Sequence, residues 1–247
     1  MSQIKCKGHC LTCPVRFRSI FSALPEESLD ETIKDFHTSV ISYDDGELIY
    51  NQGESSKGSA YTLRKGLVKV SKSLPDGRVQ IVRVLMPGDL FGFDGLANEP
   101  YNTTATALSG CEVCRLPLND LTILRDKHTE IDRSIMARLI INLRQTEDML
   151  LELGAKKASE KLASFLMNLS QSDVSSKLNE SDEVKWVKLN LSRSEIGSLL
   201  GLTIETVSRF ISDWKRKGFI KESKGSIQLV DLEGLKKAAC SDGACDK

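Results

Sequence analysis

Leu191-Ser-Arg-Ser-Glu-Ile-Gly-Ser-Leu-Leu-Gly-Leu-Thr203, continued by Ile204-Glu-Thr-Val-Ser-Arg-Phe-Ile-Ser-Asp-Trp-Lys-Arg-Lys217, is the stretch that decides the architecture. Ser192 stands three residues before Glu195, the spacing of a capping box, in which each side chain satisfies the other residue's free backbone N–H and starts a helix. Gly201 closes that helix, Leu202 is expected as a buried plug, and Thr203 caps a second helix reaching Lys217, with Val207, Phe210, Ile211 and Trp214 on its apolar side. Two short helices joined by so tight a turn form a helix-turn-helix. Glu205, Ser208 and Arg209 fall at i, i+3 and i+4 on the exposed side, near the N-terminus where such a helix meets base edges in the major groove of double-stranded DNA. Arginine binds guanine O6 and N7 together, glutamate accepts from cytosine N4, and serine is permissive. Glu205 and Arg209 also have the spacing of an ordinary surface pair. The adjoining segment favours DNA: Gly218-Phe-Ile-Lys-Glu-Ser-Lys-Gly-Ser-Ile-Gln-Leu229 reads as a hairpin wing with Lys224-Gly225 at its tip, bringing Lys221 and Lys224 to phosphates.

Over all 247 residues the formal net charge is +0, which by itself does not describe a nucleic-acid binder. The charge is unevenly distributed. Between Leu191 and Val230 seven basic residues (Arg193, Arg209, Lys215, Arg216, Lys217, Lys221, Lys224) face four acids (Glu195, Glu205, Asp213, Glu222), a local positive excess. With 40% hydrophobic and 28% charged residues the chain is globular and long enough for two domains. It shows no apolar run of membrane-spanning length, and its first residues carry lysines without the apolar stretch of a signal peptide, so a cytoplasmic protein without a membrane partner is expected. Seven cysteines, an odd number, argue against a secreted disulfide framework.

Upstream of the helix-turn-helix the period of the sequence changes. Between Ile131 and Leu153 apolar residues recur at three and four, and a heptad seam runs through Ile135, Leu139, Asn142, Thr146, Met149 and Leu153. This is the pattern of a helix that pairs with its copy in a homodimer, and equally of a core helix in one subunit. Gly154 is expected to end it, Ala158 to Leu169 to form another helix, and Ser170 to Asp182 a loop. From about Phe21 to Leu121 short β-branched and aromatic runs are punctuated by glycine, as in Glu47 to Tyr50, Ser59 to Leu63 and Gly66 to Ser71. The turn Pro75-Asp76-Gly77 makes Val68 to Val84 a hairpin, and the absence of β-α-β alternation predicts a small antiparallel roll.

A β-roll, a long helix and a winged helix-turn-helix, in that order, resemble the Crp/Fnr superfamily of bacterial regulators over nearly the whole chain. Leu200-Gly-Leu-Thr-Ile-Glu-Thr-Val-Ser-Arg209 carries the resemblance most specifically, and its Glu-x-x-Ser-Arg form is similar to the Fnr branch. The resemblance implies an α+β chain: a cysteine-rich segment over 1–22, a cyclic-nucleotide-binding-like jelly roll over 23–125, a dimerisation helix over 126–154 and a winged helix-turn-helix over 155–247. It further implies a transcription activator that binds TTGAT half-sites in an inverted repeat and meets RNA polymerase.

Gly88-Asp-Leu-Phe-Gly-Phe-Asp-Gly-Leu96 resembles the phosphate cassette of cyclic-nucleotide rolls, which needs an acid for the ribose and an arginine for the cyclic phosphate. Phe93 fills the acid's position and Thr103-Thr104 stand where an Arg-Ser pair is expected, so a buried phosphate would find no counter-charge. The N-terminus offers instead Cys6-x3-Cys10-x2-Cys13, with Cys111 and Cys114 far along the chain. Soft thiolates so grouped suit an iron–sulfur cluster. Fnr proteins resemble this, holding a [4Fe-4S] cluster by three N-terminal cysteines and one in the roll, which implies Cys6, Cys10, Cys13 and Cys114 as ligands and oxygen or redox state as the signal. The family's third N-terminal cysteine falls here near Ser19 or Phe21, so Cys6 has to substitute for it. Cys111 competes with Cys114, but on a strand residues three apart face opposite ways. Zinc held with His9, thiol redox chemistry, and haem on His9, His37 or His128 remain alternatives. Cys240 and Cys245 lie in a polar tail. A metal triad, nucleophile motif or phosphate loop for an enzyme is not found.

Overall fold

The computed structural model describes residues 3–7, 10–25, 27, 29, 36–56, 58–172, 186–188, 191–223 and 226–240. They fall into two units, residues 1–145 and 146–247. In the first, β1 (Gln3–Lys7), β2 (Ser39–Tyr43), β3 (Leu48–Tyr50), β4 (Ser59–Lys65), β5 (Val68–Ser73), β6 (Val79–Leu85), β7 (Leu90–Phe91), β8 (Thr104–Ala107) and β9 (Cys111–Pro117) make two antiparallel sheets. One has the order β1-β2-β9-β4-β7 and the other β3-β8-β5-β6. The expected hairpin is β5–β6. Strand β1, not expected from the sequence, adds the cysteine-rich segment to the edge of the larger sheet, and among the described residues the roll's other strands begin at Ser39, with turns and a 3-10 segment (Arg16–Arg18) in the stretch around Phe21.

The larger sheet separates two cores. Its inner face packs Leu63, Val113 and Cys111 with an aromatic group of Tyr50, Tyr61, Phe91 and Tyr101. Tyr50 and Tyr101 stack at 3.9 Å between ring centroids, and Tyr61 and Phe91 at 5.3 Å. These rings pack in the core between the two sheets. The outer face packs Ala60, Leu90 and Leu116 against Ile20, Phe21 and Leu24 of the N-terminal segment and against two helices, α1 (Leu118–Lys127) and the start of α2 (Thr129–Ala155).

Helix α2 runs through Gly154 rather than ending before it. Ile135, the first position of the expected heptad seam, is 6% exposed and belongs to the outer core of its own subunit, so it is not presented to a partner. Beyond it the exposed apolar side chains are Met136, Leu139, Ile140, Ile141, Leu143, Leu150 and Leu151. Of the seam read in the sequence, Leu139 and Thr146 are exposed, Asn142, Met149 and Leu153 are half-buried, and Ile135 is buried.

In the second unit α3 (Ala158–Ser172) continues past Leu169 into the expected loop, whose remainder lies outside the described residues. It is followed by β10 (Trp186–Lys188), α4 (Arg193–Leu200), α5 (Ile204–Arg216), β11 (Ile220–Ser223), β12 (Ser226–Leu229) and α6 (Leu232–Cys240). The strands form an antiparallel sheet of order β10-β12-β11, so the wing hairpin gains a third strand. Leu162, Ile196, Val207, Ile211, Trp214 and Leu235 are buried. Among the described residues no helix is long and apolar enough to cross a membrane.

Candidate metal centre and nucleic-acid interface

Register across the larger sheet brings the cysteines together. Cys6 on β1 lies opposite Val40 on β2, Val40 opposite Cys114 on β9, and Cys114 opposite Thr62 on β4. At the usual strand spacing the Cα atoms of Cys6 and Cys114 are roughly 10 Å apart. Cys10, Ile20, Phe21 and Leu24 pack over the outer face of the sheet. Cys13 N–H donates to the Cys10 carbonyl at 3.3 Å and Arg16 N–H to the Cys13 carbonyl at 3.1 Å. Cys10, Cys13 and Cys114 consequently line one small cavity, closed by Ser19, Ile20, Phe21, Thr62, Arg64 and Leu116. Cys111, on the opposite face of β9, is buried in the inner core. Among the described residues no group of three or more His, Cys, Asp or Glu side chains is assembled around a single metal position. His9, the tip lysine Lys224 and Cys245 lie outside the described residues.

The cavity is electrically unusual for a thiol site. Burial pushes the Cys10 thiol up to about 11, the neighbouring Cys13 adding to the effect, while Arg64 and a hydrogen bond from Thr38 draw it back. Cys114 is pushed up to about 12 by burial and then by Cys10 and Cys13, again opposed by Arg64 and Thr38. The Cys10 and Cys114 thiols are protonated in the unloaded chain at neutral pH, and a soft metal that displaces those protons gains anionic ligands facing a guanidinium. Thr62 Oγ1 is buried there without a hydrogen-bond partner among the described residues. Three soft sulfurs, a nearby cation and an unsatisfied hydroxyl fit an iron–sulfur group. Cys111 is pushed up to about 12 by burial and by Glu47 and Glu112, with no thiol neighbour contributing.

Ser19 stands where the resemblance places a third ligand, and its hydroxyl donates to the Arg16 carbonyl at 2.8 Å and accepts from Phe21 N–H at 3.2 Å. It shapes the turn that lines the cavity. From this turn polar contacts lead to α2: Arg138 Nη2 donates to the Phe17 carbonyl at 3.1 Å, and Ala23 N–H to Ser134 Oγ at 3.2 Å. Sequence reasoning missed Ser134 and Arg138. Their signal, polar residues interrupting an apolar face of the helix, was present but not distinctive.

In the second unit both helix starts are as the sequence predicts. Ser192 and Glu195 form the reciprocal capping box, and Thr203 Oγ1 accepts from Thr206 N–H at 3.3 Å. Gly201 closes α4 at φ 63°, in the left-handed region that favours glycine. A Cβ at Gly197 would lie 2.6 Å from the Leu202 carbonyl, so the tight turn requires glycine there. Leu202 itself is only half-buried, because the turn places its backbone rather than its side chain against α4.

On α5, Glu205 and Arg209 are exposed and Ser208 is half-buried. The Glu205 carboxyl is held below its ordinary range by its own backbone N–H and by the Thr203 hydroxyl. It does not pair with Arg209, whose guanidinium lies over the Phe210 ring at 5.4 Å. Phe210 in turn stacks on buried Trp214 at 5.7 Å. Most of the other local charge is neutralised internally. Glu222 takes Arg193 and, at 2.9 Å, Lys215, while Asp213 takes Arg216 at 2.5 Å and Lys217 at 2.8 Å. Arg209 and exposed Lys221 have no ion pair among the described residues.

The cyclic nucleotide-binding domain family matches residues 40–128, and the Crp-like helix-turn-helix domain family matches residues 160–238. Electron transport regulator A of Shewanella oneidensis is 30% identical over 230 residues, covering 93% of this chain and 90% of that protein. Transcriptional activator protein anr of Pseudomonas aeruginosa is 29% identical over 91% of this chain and 90% of its own. Among solved structures FixK2 from Bradyrhizobium japonicum superposes with a TM-score of 0.71 at 29% identity, covering 85% of this chain and 99% of that one. Two cores, a winged helix-turn-helix and relatives of this kind along almost the whole length have one meaning: the chain belongs to the Crp/Fnr family of DNA-binding transcription regulators and is not an enzyme.

Proposed function

We propose that this regulator senses oxygen or redox state through a [4Fe-4S] cluster on Cys10, Cys13 and Cys114, with Cys6 as fourth ligand, and acts as a dimer on TTGAT-type inverted repeats. The carrying observation is that Cys10, Cys13 and Cys114, separated by about a hundred residues of sequence, line one cavity while Cys111 faces the other core. Cys6 is supported by its register with Val40, the strand neighbour of Cys114. Bound there, the cluster supplies the oxygen-sensitive chemistry. The chain's own residues do the rest. The cysteine turn fixes residues 17–23, and these hold α2 through Arg138 and Ser134. Ordering the turn therefore orders the first half of the helix that pairs with its copy.

The pairing face is set by the exposed residues of α2 and, at its end, half-buried Leu153. Met136, Leu139, Leu143, Thr146, Leu150 and Leu153 repeat at three and four, which keeps Leu139, Thr146 and Leu153 of the seam read in the sequence and replaces Ile135, Asn142 and Met149 by their successors. A dimer so formed sets two α5 helices about one DNA turn apart. RNA polymerase is the expected second partner.

Raised thiol pKa values speak against a free-thiol sensor, which depends on thiolate. Anaerobic purification with iron and acid-labile sulfide analysis tests the cluster: a brown protein with both elements that bleaches in air is expected. A colourless protein carrying zinc, or a sharp Soret band from haem, would overturn the reading.

A further inference from the structure

Thr62 is 3% exposed, lies directly opposite Cys114 across β4 and β9, and lines the cavity of the three cysteines. Side chains in that relation share one sheet face, with Cβ atoms about 4.5–5.5 Å apart. Its Oγ1 has no hydrogen-bond partner among the described residues. Thr38, also buried, differs: its hydroxyl already serves Cys10 and Cys114. A hydroxyl buried without an acceptor is destabilising, and valine has the same shape without that penalty. A buried threonine at this position is explained if an acceptor arrives with a ligand. Three thiols share the cavity with it, that of Cys114 directly across the sheet, so the acceptor chemistry is sulfur.

We infer that Thr62 is a positioning residue of the cysteine site, whose hydroxyl donates a hydrogen bond to a sulfur of the bound iron–sulfur group at Cys114. The inference rests on the cluster reading above and deepens it. Hydrogen bonds to cluster sulfurs stabilise the more reduced, more negative state and set the reduction potential. Groups of this kind alter metal-site affinity or activity by roughly 10- to 100-fold when removed. Arg64, also lining the cavity, adds a charge of the same sense.

The test uses the full chain loaded anaerobically with iron and sulfide, as wild type, Thr62→Val and Thr62→Ser. All three are expected to load when iron and sulfide are in excess, and the properties below are compared per bound iron. Thr62→Val should show a lower midpoint potential, an altered Fe–S stretching pattern in resonance Raman spectra, and bleaching in air faster by on the order of tenfold. Thr62→Ser should restore all three properties. Unloaded Thr62→Val should melt no lower than the unloaded wild type, which a loss of packing would not allow. A loaded Thr62→Val protein with unchanged potential and bleaching overturns the role of Thr62 and leaves the cluster reading standing. So does faster bleaching accompanied by a lower unloaded melting temperature and no rescue by serine. A wild type that takes up no iron–sulfur group overturns both.

Discussion

In the winged helix two carboxylates, Glu222 and Asp213, hold four bases, and the Glu205 carboxylate is held at its own helix start. Around Cys10, Cys13 and Cys114, by contrast, Arg64 has no carboxylate partner among the described residues and Thr62 Oγ1 has no acceptor. The first site is finished by the chain itself, so its reading face is set in advance and needs only DNA. On the proposed reading, the second is finished by a group that accepts hydrogen bonds and carries negative charge. A regulator built this way puts its conditional step in the roll and leaves the reader unconditional, and variants of each should fail in different ways.

The largest expected effect is at the cysteines. Cys10→Ser, Cys13→Ser or Cys114→Ser should lose nearly all bound iron, because a hard hydroxyl does not replace a soft thiolate. Cys111→Ser, in the inner core, should keep the wild-type iron content whatever it does to stability, and Cys240→Ser and Cys245→Ser should keep it too. Iron and sulfide per chain after anaerobic loading is the measurement. Full iron in Cys6→Ser would move the fourth ligand elsewhere.

How far the sequence went differs between the two sites for a physical reason. The helix-turn-helix is written in local signals: Ser192 with Glu195, Thr203 with Thr206, Gly201, and the apolar side of α5 all act within a few residues. The cysteine site depends on register. That Cys114 rather than Cys111 meets Cys10 is decided by which face of β9 lies beneath the N-terminal turn, a long-range pairing no local pattern contains. Strand β1 was legible in part, since Ile4 and Cys6 alternate with Gln3, Lys5 and Lys7 at the period of a strand. In α2 the sequence put Ile135 in the seam, whereas its side chain is buried in its own subunit's core, and periodicity does not say which of two apolar neighbours faces a partner.

Trp214→Ala should separate the two units. Trp214 is among the largest fully buried side chains and supports Phe210, on which Arg209 lies. Its loss should destabilise the winged helix by about 3–5 kcal/mol and abolish specific DNA binding, while the iron content of the roll stays at the wild-type level. Iron lost together with the winged helix would show that the reader supports the roll's site, against a division of labour between the two.

A smaller effect is expected at the base-reading face. Arg209→Ala should cost about 1–3 kcal/mol for the lost contact to guanine and relax preference at that position of the half-site. Lys221→Ala should weaken binding to all sequences alike and lower the salt slope by about 1. Titrations of matched and singly substituted inverted repeats at two salt concentrations distinguish them, and an Arg209→Ala protein weakened equally on every sequence would remove Arg209 from base reading.

The smallest effect concerns the internal neutralisation of the winged helix, and it can be read in isolation because both tryptophans, Trp186 and Trp214, lie in the second unit. Burial alone would raise the Glu222 carboxyl, but the hydrogen bond from Lys215 and the charges of Arg193 and Lys215 outweigh it and hold the group below its ordinary range. A carboxylate depressed in the folded state favours folding above its unfolded value of about 4.3. That contribution is lost as pH falls through the unfolded value towards the lower folded one. Since Glu222 and its two partners are all partly exposed, screening limits the contribution to about 1 kcal/mol or less at neutral pH. Urea unfolding followed by tryptophan fluorescence should therefore show a midpoint that drops below about pH 4.3 in the wild type. In Glu222→Gln it should be slightly lower at pH 7 and vary less with acid, Asp213 retaining a share through Arg216 and Lys217. Parallel curves for the two proteins between pH 3 and pH 7 would show that Glu222 is not part of what makes the reader self-sufficient.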